Sequence, residues 1–395
     1  MLLAFFPSFF VFLHPAPFIF TMVTVAYQGE PGAYSEAAAL QFFSSTGGSG
    51  GDGCGAPAPR PSDASHISTM PTPSFTAMLA ALTNSTATHA AMPIENSLAG
   101  TIHPNLDLLL ANPHVSIVGE TDLRVRHCLL GLADAPPGVA LKRVHSHYMA
   151  LAQCTGFLAD RGLTQVVAAD TAGAARALSR GKLVTAGEGG GVHGEDAVLA
   201  SRRAGDIYGL AVLDEGVEDD QGNYTRFLIL AMTGVDSGGS ANSGDITNVP
   251  RSVGIDGAVK TSVAFTLRNV AGELFRALSV FAVSGADLTK VESRHVATLR
   301  QLTEGANGSG AAPLQAIPLG GKDGGKGGDK EAATSGNGTG IGSADGRGLE
   351  RRWGYIFYVD VAHEEGDQGL QIALRALSNT ALFFRVLGTY PRCGP

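Results

Sequence analysis

Hydrophobic and polar positions change period repeatedly along the first two thirds of the chain. VTVAY (23–27) predicts a strand, and Gly29 and Gly32 supply the turn that opens a helix over PGAYSEAAALQFF. HVSIVGETDLRVRHCLLGL reads as strands, SHYMALAQCTGFLADRG as a helix and QVVAAD as a strand. TAGAARALSRG predicts a helix with a glycine stop, EDAVLASRRAGDIYGL a further helix, and YTRFLIL a strand. Strands separated by helices predict an α/β region with parallel pairing, helices on both faces, and ligands at the strand ends.

After a polar linker at 232–258 the pattern restarts. KTSVAFTLRN, ADLTKVESRH, GYIFYVDVA and FRVLGTYP read as strands; GELFRALSVFAVSG and DQGLQIALRALSNTALF read as helices. The order is β-α-β-β-α-β, the split unit of a ferredoxin-like sandwich. Two stretches, 44–65 and 303–350, are so rich in Gly, Ser and Pro that they cannot bury enough apolar area to offset ordering entropy. Both are expected to be flexible loops, the second lying within the hairpin between the second and third strands. GGKGG at 324–328 lacks the rest of a phosphate loop.

Composition narrows the function classes. The chain has 395 residues, enough for two or three domains, and a net charge of −8 with 16% charged residues. It therefore offers no basic field for nucleic acid. Cys54, Cys128, Cys154 and Cys393 lie far apart with no CxxC spacing, which argues against a disulfide framework or a zinc site and fits a reducing compartment. Residues 1–22 are apolar, but Pro7, Pro15 and Pro17 interrupt them and no Lys or Arg precedes Arg60. That pattern matches neither a spanning helix nor a signal or transit peptide, which leaves two readings: Met22 is the real start, or the leader is a fragment of a longer targeting sequence.

Several polar groupings carry the candidate chemistry. PIENSLAG places Glu95, Asn96 and Ser97 ahead of Leu106, Leu109 and Leu110 at helical spacing, so the trio is expected where a strand or loop turns into a helix. Two readings stand: a helix cap, or donors that hold an anion at that terminus. In NYTRF, alternation puts Asn223 and Thr225 on one strand face and Tyr224 and Arg226 on the other. Arg226 reads either as a structural partner of Glu218, Asp219 or Asp220, or as a grip on a substrate carboxylate. Ser146 reads as a helix cap with Gln153 two turns on; His147 is a capping residue or a proton shuttle. Thr171 is a helix cap or a carboxylate donor.

Taken together, VAYQGEPGAYSEAAA, PIENSLAGTIH, SHYMALAQC, DTAGAA, GNYTRFLIL, VESRH and LGTYP resemble the arogenate and prephenate dehydratases, most of all the plant-type arogenate dehydratases. The resemblance covers residues 23 to about 302 and 351–392, apart from the Gly-rich loops and the linker. It implies a two-lobed catalytic region like that of solute-binding proteins at 23–231 and a ferredoxin-like ACT regulatory domain at 259–392. The reaction it implies is a decarboxylating elimination driven by aromatisation: arogenate gives phenylalanine, or prephenate gives phenylpyruvate.

By the same resemblance Thr225 protonates the leaving hydroxyl, with Glu95 as its polarising partner. Asn96, Ser97, Ser146, Gln153, Thr171, Asn223 and Arg226 line the substrate cleft. Asn269, Gly272, Glu273 and Leu274, with Glu292, Ser293 and Arg294, form a phenylalanine effector site between paired ACT domains. The sequence departs from the family at His295, where proline is usual, and at Glu273, where a small residue is usual. The resemblance also implies no metal or organic cofactor, no nucleic-acid or membrane partner, a homodimer or homotetramer, and a plastid location, with the cytoplasm as alternative. A non-catalytic amino-acid-sensing module and an inactive regulatory subunit stand beside the enzyme reading.

Overall fold

The computed structural model describes residues 23–44, 67–183, 194–233, 258–295 and 354–392. The leader 1–22, nearly all of the 44–65 and 303–350 stretches and most of the 232–258 linker lie outside the described residues.

The first lobe is built on a mixed sheet. β1 (Val23–Gln28) pairs in parallel with β2 (Ile67–Thr72) and β3 (His89–Asn96), while β11 (Tyr224–Met232) runs antiparallel between β3 and β5 (Val115–Arg124). β4 (Gly100–Thr101) folds back on the end of β3. Helices α1 (Tyr34–Ser44), α2 (Phe75–Thr83) and α3 (His103–Ala111) cover this sheet. The parallel arrangement expected from the alternating pattern is thus only partly present, because β11 returns from the second lobe and enters the sheet in the reverse sense. That reversal brings the end of β3 and the start of β11 to the same edge, with Thr225 opposite Asn96 and Arg226 opposite Glu95.

The second lobe has the strand order β10 (Leu210–Glu215), β6 (Cys128–Leu132), β9 (Asp196–Ala200), β7 (Arg143–Ser146), β8 (Thr164–Val167). Its helices are α4 (Tyr148–Ala152), α5 (Thr155–Asp160), α6 (Thr171–Ser179) and α7 (Arg202–Tyr208). Two expectations are corrected here. EDAVLA is the strand β9, paired on both sides by β6 and β7; a doubly buried strand is apolar on both faces and so imitates a buried helix. SHYMALAQCTGFLADRG is two short helices broken at Gln153, the C-cap of α4, and Cys154, the N-cap of α5.

The lobes are joined by two crossing segments, residues 125–127 and 216–223. The Val125 N–H donates to the Asn223 carbonyl at 2.8 Å, and the Gly216 and Val217 N–H groups donate to the His127 carbonyl at 2.9 and 3.1 Å. Gly32 (φ 91°) brings α1 against α7: a Cβ there would sit 2.7 Å from Ala204 Cα, and the Ser201 hydroxyl donates to the Gly32 carbonyl at 2.6 Å.

The third sheet has the order β13 (Asp287–His295), β14 (Tyr355–Glu364), β12 (Ala258–Thr266), β15 (Phe383–Pro391), antiparallel throughout. With α8 (Glu273–Ser284) and α9 (Gln368–Thr380) on one face, it has the β-α-β-β-α-β order read from the sequence. Its opposite face is not open. Ala264, Ile356, Tyr358, Leu387 and Tyr390 join Ile94, Leu106, Leu109 and Ile117 of the first lobe in one core, where each such buried aliphatic side chain contributes about 1.5–3 kcal/mol. Arg385 crosses the same junction and donates to the carbonyls of Leu109, Leu110, Asn112, Pro113 and Val115, closing the C-terminal end of α3.

Candidate active site

The seam between the lobes holds a chain of neutral side chains. The Asn96 Oδ1 accepts from the Leu98 and Ala99 N–H groups at 3.0 and 2.9 Å, which fixes its amide orientation. Its Nδ2 therefore faces the second crossing and donates to Asn223 Oδ1 at 2.7 Å, to the Tyr224 carbonyl at 3.1 Å and to Thr225 Oγ1 at 3.0 Å. With its Oδ1 engaged, Asn223 presents Nδ2 to Gln153 Oε1 at 3.0 Å. The same Gln153 oxygen lies 3.0 Å from His127 Nε2, and His127 Nδ1 lies 2.9 Å from the Tyr34 hydroxyl.

Two donors are left over. Thr225 Oγ1 accepts from Asn96, so its own hydrogen is directed elsewhere, and it has no acceptor among the described residues. The Gln153 amide nitrogen likewise has no partner among them. Thr225, Gln153 and Asn96 are half-buried, whereas Asn223 and His127 are fully buried. Burial also lowers the affinity of His127 for a second proton, although Gln153 and Glu218 counter this, and it raises the Tyr34 phenol well above its ordinary range.

Other candidates are placed differently from the sequence reading. The ENS trio ends a strand and does not cap a helix: α3 begins six residues after Ser97, behind Ile102, which makes no side-chain cap bond. Asn96 closes its own turn, and Ser97 is a fastener, accepting from the Tyr224 N–H at 3.0 Å and donating to the Gly222 carbonyl at 2.9 Å. Ser146 does not cap α4 or line the seam. It is fully buried at the end of β7 and donates to the Leu199 carbonyl at 2.6 Å, while the cap of α4 is His147. Asp170, and not Thr171, caps α6. Thr171 remains at the seam, however, because its neighbour Ala172 packs against Tyr27 and Ala33 of the first lobe.

Glu95 and Arg226 face away from Thr225. The Arg226 guanidinium donates to Glu120 at 2.8 Å, Asp360 at 2.7 Å and Tyr390 at 3.0 Å, and lies 3.8 Å from Glu95. Lys260 completes this network on Glu120 at 2.7 Å, and Ser262 joins Asp360 to Tyr390. Of the two readings of Arg226, the structural ion pair is the one present, with Glu120 and Asp360 as its partners in place of Glu218, Asp219 or Asp220. Glu95 pairs with Lys290 at 2.8 Å, and the neighbour hydrogen-bonded to Thr225 is Asn96.

The expected effector residues divide. Asn269 and Gly272 are exposed in the turn before α8, with Gly272 in the left-handed region at φ 84°, and Leu274 is exposed in the first turn of the helix, while Glu273 is buried between Arg268 and Arg276. Glu292 and Arg294 point instead to the first lobe. Glu292 is bonded by Thr101 at 2.9 Å and His103 at 2.8 Å, and Arg294 lies 2.8 Å from Asp107. Ser293, between them, is exposed on the other face. His127 and Tyr34 escaped the sequence reading. The one available signal was a histidine inside an apolar strand boundary, RVRHCLL, with nothing local to pair it.

Two lobes joined by two hydrogen-bonded crossings, with neutral donors gathered at their seam, define a two-lobed α/β protein. Comparison with known proteins makes this specific. A family model described as prephenate dehydratase matches residues 25–234. Arogenate dehydratase 2 of Petunia hybrida is 37% identical over 370 residues, covering 93% of this chain and 71% of the relative. A chloroplastic arogenate dehydratase/prephenate dehydratase 2 of Arabidopsis thaliana is 36% identical over 372 residues, covering 93% and 73%.

Among solved structures, a prephenate dehydratase in complex with L-Phe from Arthrobacter aurescens superposes with a TM-score of 0.61 at 22% identity, covering 94% of this chain and 90% of that one. A structure described as GqqA, a novel type of quorum quenching acylase, gives 0.58 at 27% identity, covering 94% and 98%. The chain belongs to the prephenate dehydratase family, and the enzyme class read from the sequence, a carbon–oxygen lyase, stands with it.

Proposed function

We propose that the protein is an arogenate dehydratase that converts arogenate to L-phenylalanine, carbon dioxide and water at the seam between the two lobes. The observation that carries this is the unspent hydrogen of Thr225, held outward because Asn96 can only donate to its oxygen. In the reaction the ring C–O bond breaks as Thr225 delivers a proton to the departing hydroxyl. The bond from the ring to its carboxyl group breaks as carbon dioxide leaves, and that electron pair completes the aromatic ring. Thr225 regains its proton from solvent.

The Gln153 amide and Thr171 serve the carboxylate that survives. Neutral donors suit this task, since a cation on the departing carboxylate would stabilise the ground state. An acylase reading fits the site less well, because it needs an activated nucleophile. Ser97 and Ser146 both spend their hydroxyls on the backbone.

The plant relatives' names favour arogenate, and the Arabidopsis relative named for both activities keeps prephenate as the second reading. Incubating the purified protein with each compound decides: phenylalanine should form from arogenate faster than phenylpyruvate forms from prephenate, and the reverse rates make the second reading the correct one. We assign residues 23–231 to catalysis and 259–392 to an ACT domain. That domain answers to phenylalanine through the turn Asn269–Leu274 with Ser293, in a plastid enzyme assembled as a dimer or tetramer. Glu292 and Arg294 join the two regions. Dialysis against phenylalanine, followed by a turnover assay, tests the effector, and light scattering tests the assembly.

A further inference from the structure

His127 has no part in the chemistry written above, yet it sits fully buried on the first crossing between the lobes, at the far end of the chain that reaches Thr225. Each link has a fixed polarity. The Leu98 and Ala99 N–H groups set Asn96, Asn96 sets Asn223, and Asn223 sets Gln153 with its oxygen toward both Asn223 and His127. A carbonyl-type oxygen only accepts, so the His127 nitrogen 3.0 Å away must carry a hydrogen. In a neutral ring that leaves Nδ1 bare, 2.9 Å from the Tyr34 hydroxyl, whose single hydrogen is divided between Nδ1 and the Arg126 carbonyl at 2.8 Å. The opposite tautomer would turn a lone pair toward the Gln153 oxygen. Gln153 could relieve the clash only by flipping, which would oppose its amide hydrogens to those of Asn223.

We propose that His127, with its Nε2–H directed at Gln153, is a positioning residue for the dehydratase reaction. It gives the Gln153 oxygen a second anchor, so that the Gln153 amide hydrogens and, through Asn223 and Asn96, the Thr225 hydroxyl keep their aim into the seam. Because His127 and Asn223 lie on the two crossings, the aim of the donors is tied to the way the lobes are joined. This proposal rests on the dehydratase reading.

The test compares His127→Leu with His127→Gln, whose side-chain amide can place a hydrogen where Nε2–H stands. His127→Leu should lower kcat about 10- to 100-fold, the scale of a slight misplacement of reacting groups. His127→Gln should return it to within about fivefold of wild type, the worth of one hydrogen bond of imperfect geometry. If His127 served only to fill space, the apolar variant would be the better one. In full-length protein labelled with 15N-histidine, the signal lost in His127→Gln should show a protonated Nε2 and a bare Nδ1 at neutral pH. Wild-type protein that makes no aromatic product from arogenate or prephenate overturns the reading beneath the proposal. Normal wild-type turnover with His127→Leu as fast as His127→Gln, or a bare Nε2 in the labelled protein, overturns the proposal alone.

Discussion

The paired ends of β3 and β11 present two faces with opposite chemistry. On one, Asn96, Asn223, Thr225 and Gln153 form a chain with no formal charge. On the other, Glu95, Glu120 and Asp360 face Arg226, Lys260 and Lys290 across the junction with the third sheet. Both are well bonded, but they do different things. Amides and hydroxyls have directional hydrogens, so a neutral chain fixes which way each proton points at little electrostatic cost. Buried ions fix position, because each one left without its partner is expensive. The charged face holds the strands in place, and the neutral face aims the donors.

The sharpest way to break this comparison is Arg226→Leu. Glu120 keeps Lys260, but Asp360 loses the one ion-pair partner it has among the described residues, and a buried ion pair broken from one side costs about 3–5 kcal/mol. A denaturant midpoint should fall accordingly. If Arg226 instead served substrate, stability would hold while KM rose. Thr225→Val is the converse test. Asn96 Nδ2 still has Asn223 and the Tyr224 carbonyl for its two hydrogens, so stability should change by less than about 1 kcal/mol, whereas turnover should fall about 10²- to 10⁴-fold, the usual worth of a positioned acid. Unchanged turnover in folded Thr225→Val removes the proposed mechanism.

How much of this was legible beforehand follows from the range of the forces involved. The strands 23–27 and 224–230, the helices after Thr171 and Gly272 and the β-α-β-β-α-β order are local patterns, and they were readable. Alternation alone put Thr225 and Arg226 on opposite faces. Which face meets substrate was not readable, because it depends on Asp360 and Tyr390, more than 130 residues away in the chain. The misassigned roles of Glu95 and Ser146 share this cause: each looks like a free polar group until Lys290 or the Leu199 carbonyl is brought beside it. His127 was missed for the same reason, its ring partners Tyr34 and Gln153 lying 93 and 26 residues off.

Arg385 extends the comparison to a charge held by neutral groups. Its five acceptors are all backbone carbonyls around the end of α3, and burial lowers its pKa to about 10. Arg385→Met keeps the stem and removes the donors, leaving carbonyls that water reaches poorly. The cost should be about 2–3 kcal/mol, less than for Arg226→Leu because no buried ion is orphaned. A loss as large as that of Arg226→Leu would mean that the cation, and not its hydrogen bonds, holds this junction.

The weakest element of the charged face is its edge, where Glu292 meets Thr101 and His103. Burial pushes the Glu292 carboxyl up, but the bonds from His103 and Thr101 more than offset this and hold it below its ordinary range. The unfolded chain, with a glutamate near pKa 4.3, then takes up a proton at a higher pH than the folded one. The contribution is therefore complete above about pH 4.3 and is lost as pH falls through the folded value. Nearby Asp107 runs the other way: burial raises it despite Arg294, so the folded state binds its proton first and gains on mild acidification. Since His103 is 42% exposed, the Glu292 bond resembles a surface pair and should be worth about 0.5–1 kcal/mol. Glu292→Gln should melt slightly below wild type at neutral pH, and the two curves should converge on the acid limb, below the range in which Asp107 titrates. A gap that persists at the lowest pH would show that the loss comes from packing at this edge and not from the charge.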